Sequence, residues 1–230
     1  MDPHWELISN IFSYHKNYIQ KLNPSFFNEF LKQQKPFITL ITCSDSRVQS
    51  EFLGLSAVNN IFVIRNIGNQ ILSNLGSVDY GILHLKTPLL IVLGHVRCGA
   101  ITAALGGYET EEPPIIGELN HLCVPLKRVS QKKFKRFHDM VEETVLENIH
   151  YQVEIALKRY KKIVESGKLT ILGFLYDFAN LYGRGKGAIL IANINGLKTP
   201  EEVINKYHLP QHFQELLKER FITKRWTVSS

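Results

Sequence analysis

The stretch Pro36-Phe37-Ile38-Thr39-Leu40-Ile41-Thr42-Cys43-Ser44-Asp45-Ser46-Arg47 contains the main clues to how this chain folds. Its first half, residues 36–41, is an almost continuous apolar run and predicts a strand buried on both faces of a parallel sheet. Its second half places a thiol, a carboxylate and a guanidinium on Cys43, Asp45 and Arg47, just beyond the end of that strand. Open α/β sheets bind their ligands at the carboxyl ends of their strands. The stretch therefore predicts a buried strand followed by a polar site.

A second motif, His95-Val96-Arg97-Cys98, follows another apolar run at residues 89–94. Either motif alone is better explained as buried core, because lone cysteines and histidines usually pack as structural residues. Two strands that both end in thiol or imidazole groups predict a metal site, and this donor set suits tetrahedral zinc. Three ligands, Cys43, His95 and Cys98, would leave one position open. A closed structural site with Asp45 as the fourth ligand is the alternative, and the apolar flanks of Cys123 predict a buried structural thiol.

The composition is that of an ordinary globular protein, with 44% hydrophobic and 21% charged residues in 230. The net charge of +6 predicts a mildly basic surface, and the basic run at residues 127–136 is interpreted as a solvated helix face. Three cysteines, two of them in motifs, do not make a disulfide framework and favour a reducing compartment. No signal peptide or bilayer-spanning run is evident. We therefore expect a cytoplasmic protein with no membrane or nucleic-acid partner.

Strand-like and helix-like segments alternate along the chain, which indicates an α/β fold with a central, mostly parallel β-sheet flanked by helices. Further strands are predicted at residues 61–65, 89–94, 169–176 and 188–192. Helices are predicted at residues 4–22, from Pro24 to Leu31, from Gly76, at residues 99–105, in one long run from Leu126 to near Gly167, and from a capping box at Thr199. Residues 1–35 form an N-terminal helical arm and residues 36–230 the α/β zinc-binding catalytic domain, within a single domain overall.

The order Cys43-x-Asp45-x-Arg47, then His95-x-x-Cys98 and Gly99, resembles the β-class carbonic anhydrases over about residues 34–188. The resemblance implies a lyase, carbonate dehydratase, that uses zinc for the reversible hydration of carbon dioxide to bicarbonate and a proton. In this interpretation Arg47 holds Asp45 ionised, and Asp45 accepts a hydrogen bond from zinc-bound hydroxide and orients it. The alternative for this pair is a surface salt bridge of little value.

The same resemblance implies a substrate pocket and an oligomer. It assigns substrate binding to Gln34, Phe62, Ile67, Tyr80 and Gly99. In the family, the residues matching Gln34, Phe62 and Tyr80 come from the neighbouring subunit, so we expect a homodimer or homotetramer in which the N-terminal arm embraces the partner.

Three other functions are consistent with parts of the sequence. The same fold and ligands would serve a hydrolase of carbon disulfide or a related molecule. A non-catalytic zinc protein would need the ligands alone, but would not explain Asp45, Arg47 and Gln34. A nucleic-acid binder using residues 127–136 would leave both metal motifs unexplained. Among these functions, carbonic anhydrase activity explains the largest number of the candidate site residues.

Overall fold

One sheet carries both motifs in this computed structural model, which describes residues 3–28 and 30–223. Its strands are β1 (Ile38–Cys43), β2 (Ile61–Asn66), β3 (Leu89–His95), β4 (Thr170–Asp177) and β5 (Ala188–Ile194). They lie in the order β2-β1-β3-β4-β5. Strands β1 to β4 run parallel to one another, and β5 is antiparallel to β4. The predicted α/β fold with a mostly parallel sheet is confirmed.

The α-helices of the described residues lie before β1, between β2 and β3, between β3 and β4, and after β5. They are α1 (Pro3–Gln20), α2 (Leu75–Asp79), α3 (Gly99–Gly106), α4 (Pro113–Asn120), α5 (Cys123–Ser130), α6 (Phe137–Glu165), α7 (Pro200–Tyr207) and α8 (Gln211–Arg220). A wider π turn, Tyr80–His84, continues α2. Thr199 and Glu202 form the predicted capping box at the start of α7. Among these helices none combines the length and the apolar character needed to cross a membrane.

The two motifs meet where the chain changes direction across the sheet. From β1 the chain adds β2 on one side, and it later adds β3 on the other side of β1. Cys43 ends β1 and His95 ends β3, and these neighbouring strands are held in register by pairs such as Thr42 with Leu93. Such a switch point opens a crevice at the carboxyl ends of the strands, which is where open α/β sheets bind ligands. Strand order alone therefore brings both motifs to one place.

Helix α6 packs closely on β3 and β4 through two glycines. A Cβ atom at Gly94 would lie 2.7 Å from Ile149 Cδ1, and one at Gly173 would lie 2.7 Å from Ile149 Cγ2. Ile149 itself is fully buried. Because non-bonded carbon atoms are most stable about 3.5–4.0 Å apart, any side chain at either glycine would push the helix away from the sheet. These glycines set the distance between α6 and the strand that ends in His95.

Replacing Gly173 by alanine is expected to destabilise the fold by about 1–3 kcal/mol, because it overpacks the contact with Ile149. A shift of the urea midpoint measures this change in the free energy of unfolding. The matched control is Gly117→Ala in α4, where a Cβ would meet no atom within 4 Å. The control should be neutral or stabilising, by up to about 1 kcal/mol, since alanine is the better helix former. Equal stability of Gly173→Ala and the parent protein would contradict this packing.

The long helix predicted from Leu126 to near Gly167 is wrong at one point. The chain leaves the helix after Ser130 and resumes it at Phe137, so that α5 and α6 are separate. Residues 131–136 hold four of the chain's cations in six positions, and like charges on adjacent helical turns are destabilising. In the observed bend, Lys132 pairs with Glu143 and Arg136 pairs with Asp139.

Three smaller predictions also need correction. Cys123 is exposed at the first residue of α5 rather than buried. The predicted set of helices omitted α4, although prolines in a first turn, here Pro113 and Pro114, commonly open helices. The C-terminal helix is two helices, α7 and α8, because His208 adopts a left-handed conformation and Pro210 follows it.

By its contacts the chain divides into one unit before Pro36 and another from Pro36 onward. The first unit contains α1, as predicted, and exposes large apolar side chains such as Trp5, Ile11 and Phe12. The second predicted helix is only a 3₁₀ turn, Pro24–Phe27, capped by the side chain of Asn23. So short a segment gains too few helical hydrogen bonds to offset the cost of nucleation.

Candidate metal centre

The three predicted metal ligands come together at the switch point. The ligand atoms of Cys43, His95 and Cys98 all lie within 4.8 Å of one another. The three residues are 4%, 0% and 1% exposed. Zinc–sulfur bonds of about 2.3 Å in a tetrahedron would place two sulfurs ~3.8 Å apart, so this cluster needs little adjustment to hold a zinc ion. Asp45 is not part of the three-residue group, which fits an open site better than a closed one.

The His95 ring presents a free nitrogen to this cluster. Its Nδ1 lies 3.0 Å from the Val96 carbonyl oxygen, and only a protonated Nδ1 can donate to that oxygen. The neutral ring then carries its lone pair on Nε2. Nε2 is buried, and among the described residues no group forms a hydrogen bond with it. A buried polar atom without a partner is costly, and a metal ion would satisfy it. The donor set and this orphaned nitrogen therefore fit a bound zinc ion.

The two thiols interact directly and differ in pKa. The pKa of Cys43 is lowered, chiefly because Cys98 donates a hydrogen bond to its sulfur, with a further contribution from His95. The pKa of Cys98 is raised, because its proton is held by Cys43 and because it is buried. The two shifts have opposite directions because a hydrogen bond between the sulfurs favours the thiolate of Cys43 over that of Cys98. Cys98 also occupies the N-cap position of α3, where the nearby backbone N–H groups of Ala100 and Ile101 favour a thiolate. The pair can supply the negative charge that a divalent metal ion prefers.

Asp45 and Arg47 form the predicted ion pair beside the cluster. Arg47 donates from Nε to Asp45 Oδ1 at 2.9 Å and from Nη2 to Oδ2 at 2.7 Å, and its backbone N–H donates to Oδ1 at 3.0 Å. These bonds hold the pKa of Asp45 down at about 2. Oδ2 lies 3.9 Å from His95 Nε2, so the carboxylate sits next to the metal ligands. The Arg47 guanidinium also lies over the Phe178 ring, 4.8 Å from its centroid.

Arg65 holds the turn that contains Cys43 and Asp45, and no sequence motif predicted this role. Its guanidinium donates to the backbone oxygens of Cys43, Asp45 and Val48 and to the side chain of Gln49. Arg65 lies near the end of β2, where its neighbour Asn66 pairs with Cys43 across the sheet. The sequence offered one signal for this role, because Arg65 is a basic residue at the end of the strand predicted at residues 61–65. Its contacts fix the backbone on which the first motif is built.

The turn between His95 and Cys98 has an unusual backbone and a buried partner. Arg97 adopts the left-handed conformation, with φ of 54°. Its N–H donates to Glu142 Oε1 at 3.0 Å, and its carbonyl oxygen accepts from Arg47 Nη2 at 3.0 Å. Burial raises the pKa of Glu142, which is 1% exposed, to about 7. Nothing in the sequence singled out Glu142, because it is one of many charged residues on a long amphipathic helix.

The predicted pocket residues do not all lie at the cluster. Ile67 packs in the same apolar group as Cys43 and Cys98, and Gly99 follows Cys98 directly. Phe62 pairs with Thr39, four residues before Cys43 on β1, which is about 13 Å away along a strand. The Tyr80 ring lies beside the Phe62 ring, with their centroids 5.8 Å apart.

Gln34, the remaining predicted pocket residue, belongs to the N-terminal unit and is exposed. Within the unit from Pro36 onward, the structure therefore brings two predicted pocket residues, Ile67 and Gly99, close to Cys43 and Cys98. The substrate-binding roles of all five remain predictions.

Comparison with known protein families gives a consistent result. A family model described as carbonic anhydrase matches residues 38–184. A carbonic anhydrase from Synechococcus elongatus is 34% identical over 165 residues, which cover 66% of this chain and 60% of that protein. A carbonic anhydrase from Mycolicibacterium smegmatis is 40% identical over 150 residues, covering 64% and 73%. The chain thus spans less than two thirds of the Synechococcus relative's length.

Solved structures support the same fold. The β-carbonic anhydrase CcaA superposes with a TM-score of 0.71 at 25% identity, covering 84% of this chain and 89% of that one. A tetrameric β-carbonic anhydrase from Sordaria macrospora gives a TM-score of 0.65 at 23% identity, covering 82% and 95%. At that identity the second likeness concerns the fold alone.

Proposed function

Because this chain belongs to the β class of the carbonic anhydrase family, we propose that it catalyses the reversible hydration of carbon dioxide to bicarbonate and a proton. The observation that carries the proposal is the buried Cys43, His95 and Cys98 cluster with the Asp45–Arg47 pair beside it. A structural metal site needs no such pair. A catalytic site does, because two thiolates weaken the ability of the metal ion to acidify water.

Zinc is the metal ion that these residues would hold, through the sulfurs of Cys43 and Cys98 and Nε2 of His95. Two sulfurs and one nitrogen suit zinc among the common divalent metals, and three ligands leave a position for a reactant. Bound zinc would supply Lewis acidity that makes water nucleophilic near neutral pH. The hydrogen bond from Nδ1 to the Val96 carbonyl keeps the ring oriented for this role.

Asp45 would orient the nucleophile by accepting its hydrogen bond. An ionised carboxylate can only accept, so it selects one orientation of an O–H group and directs the oxygen lone pair elsewhere. Arg47 keeps the carboxylate ionised and fixes its plane through two parallel hydrogen bonds. Asp45 is 15% exposed on its side chain, so a small molecule can reach it from solvent. Apolar walls such as Ile67 would favour carbon dioxide over water in the remaining space.

We propose that Gln34, Phe62 and Tyr80 complete the site of a neighbouring subunit in a homodimer or homotetramer. Phe62 and Tyr80 lie too far from Cys43 to act within their own chain. Tyr80 is 44% exposed, and the neighbouring Val63 and Leu83 are also exposed. Large exposed apolar side chains beside an edge strand mark an interaction surface. The free cysteines of the cluster support a reducing compartment such as the cytoplasm.

The direct test is stopped-flow carbon dioxide hydration on purified protein, with zinc content and light-scattering mass measured on the same sample. Fast hydration, with one zinc per chain and the mass of a dimer or tetramer, is the expected result. Stoichiometric zinc with no hydration from neutral to alkaline pH would overturn the proposed reaction. A fully active monomer would overturn the assignment of Gln34, Phe62 and Tyr80 to a partner's site.

A further inference from the structure

Helix α6 carries a buried carboxylate, Glu142, close to the turn between His95 and Cys98. Within the described part of the chain, no hydrogen bond or ion pair joins Glu142 to Asp45 or to the sulfur and nitrogen atoms of the candidate metal ligands. Its Oε1 accepts from the Arg97 N–H at 3.0 Å and lies 3.4 Å from His138 Nε2, and Asp177, His95 and Tyr182 are close enough to interact with the carboxyl group electrostatically. Its other oxygen, Oε2, has no hydrogen bond among the described residues. Burying a carboxylate this way costs stability relative to an apolar side chain, so stability alone does not explain Glu142.

The partner of Glu142 is a strained turn. Arg97 is left-handed although it has a side chain, a conformation that carries a steric cost and persists only where the surroundings enforce it. Its side chain is exposed. What holds the residue is its backbone, with the N–H bound to Glu142 on one side and the carbonyl bound to Arg47 on the other.

This turn connects three parts of the site. His95 precedes it, Cys98 follows it, and the Arg97 carbonyl is an acceptor for the guanidinium that fixes Asp45. A continuous set of hydrogen bonds therefore runs from Glu142 through the backbone of Arg97 to Arg47 and Asp45. If Arg97 relaxed to a right-handed conformation, the N–H and carbonyl would turn away, and both Cys98 and Arg47 would lose their present positions.

We propose that Glu142 is a positioning residue of the metal site, acting through its acceptor oxygen on the left-handed Arg97 turn. This inference rests on the proposed function for its effect on catalysis, but its effect on metal binding is independent of the reaction. Partners of this kind, one contact beyond the ligands, typically contribute 10–100-fold to metal affinity or activity. The acceptor position, rather than the negative charge, is what the Arg97 N–H requires.

The first experiment compares Glu142→Gln with Glu142→Asp. Glutamine keeps an acceptor oxygen at the same reach without the charge, and aspartate keeps the charge but withdraws the oxygen by one methylene. Cobalt(II) is the probe: its affinity is measured by chelator competition, and its thiolate charge-transfer and ligand-field bands report the geometry of the site. We expect Glu142→Gln to stay close to the parent protein and Glu142→Asp to lose 10–100-fold in cobalt affinity and in kcat, with altered bands. A larger loss of cobalt affinity in Glu142→Gln than in Glu142→Asp would overturn the proposal.

A second experiment asks whether the effect passes through the turn. Glycine adopts a left-handed conformation without steric cost, so Arg97→Gly should restore much of the cobalt affinity lost in Glu142→Leu. An equal loss in Glu142→Leu and in the double variant would overturn the proposal. The matched control is Glu143→Leu, which removes the neighbouring carboxylate that pairs with Lys132. It should leave the cobalt bands unchanged.

The cobalt measurements distinguish the two proposals. If the parent protein binds cobalt with thiolate bands but hydrates no carbon dioxide, the proposed function fails. The cobalt affinities of Glu142→Gln and Glu142→Asp then still decide whether Glu142 positions the metal site.

Discussion

Replacement of His95 by alanine is expected to remove zinc from the protein and to lower carbon dioxide hydration by at least ~10³-fold. His95 supplies the one nitrogen donor of the cluster, and its Nε2 has no other hydrogen-bond partner in the described chain. Two thiolates alone leave a metal ion with half of a tetrahedral shell. Lewis-acid catalysis by zinc contributes several kcal/mol, and 4 kcal/mol corresponds to about 10³ in rate.

The experiment measures zinc content and hydration rate on the same preparations of His95→Ala and the parent protein. Because His95 is completely buried, circular dichroism and a urea melt must show that the variant is folded. Cys98→Ser provides a second test with a smaller change in volume. His121→Ala, which alters an exposed histidine on the loop after α4, is the matched control and should retain zinc and activity. One zinc per chain in His95→Ala, with hydration within tenfold of the parent protein, would refute the proposed ligand set.

The sequence was most informative where two short motifs together favoured one chemical explanation. Cys43, His95 and Cys98 were predicted as a cluster because strand ends of a parallel sheet converge, and the structure brings them within 4.8 Å. The pairing of Asp45 with Arg47 followed from their spacing in a turn and is also present. Both predictions depend on the spacing of residues within a motif and on the positions of the strands, and hydrophobic periodicity predicts strands well.

The sequence did not predict the roles of residues that act through backbone contacts. Arg65 and Glu142 are far from the motifs along the chain, and each acts on peptide groups rather than on a recognisable side-chain partner. The left-handed conformation of Arg97 was equally hidden, since glycine is the residue that usually signals it. Such contacts depend on how a helix or strand packs in three dimensions, which a one-dimensional pattern does not specify.

The break between α5 and α6 shows how tertiary pairing overrides periodicity. Apolar residues keep helical spacing from Leu126 to Val141, and the pattern alone predicts one helix. The intervening basic residues instead lie in a non-helical segment, and Lys132 and Arg136 pair with acidic residues on α6. This rearrangement sets the start of α6, and Glu142 lies within the second turn of that helix.

Asparagine at position 45 is expected to lower kcat by about 10²–10³-fold while zinc content stays the same. The substitution keeps the shape of the side chain but removes the negative charge and exchanges one acceptor oxygen for a donor group. The Arg47 guanidinium would then face an N–H₂ group and would lose one of its two parallel hydrogen bonds. Positioned acid–base and electrostatic groups typically contribute factors of this size.

The unchanged zinc content is what separates this prediction from the one for His95. Asp45 lies beside the cluster but outside the three-residue metal-binding group, so it should affect the orientation of the nucleophile rather than the binding of the metal ion. Arg47→Lys should give a smaller loss, because lysine keeps the charge but cannot donate two parallel bonds. Asp139→Asn, which weakens a comparable ion pair with Arg136 at the start of α6, is the matched control and should keep full activity. If Asp45→Asn lost its zinc instead, Asp45 would be a ligand, and the site would be a closed one.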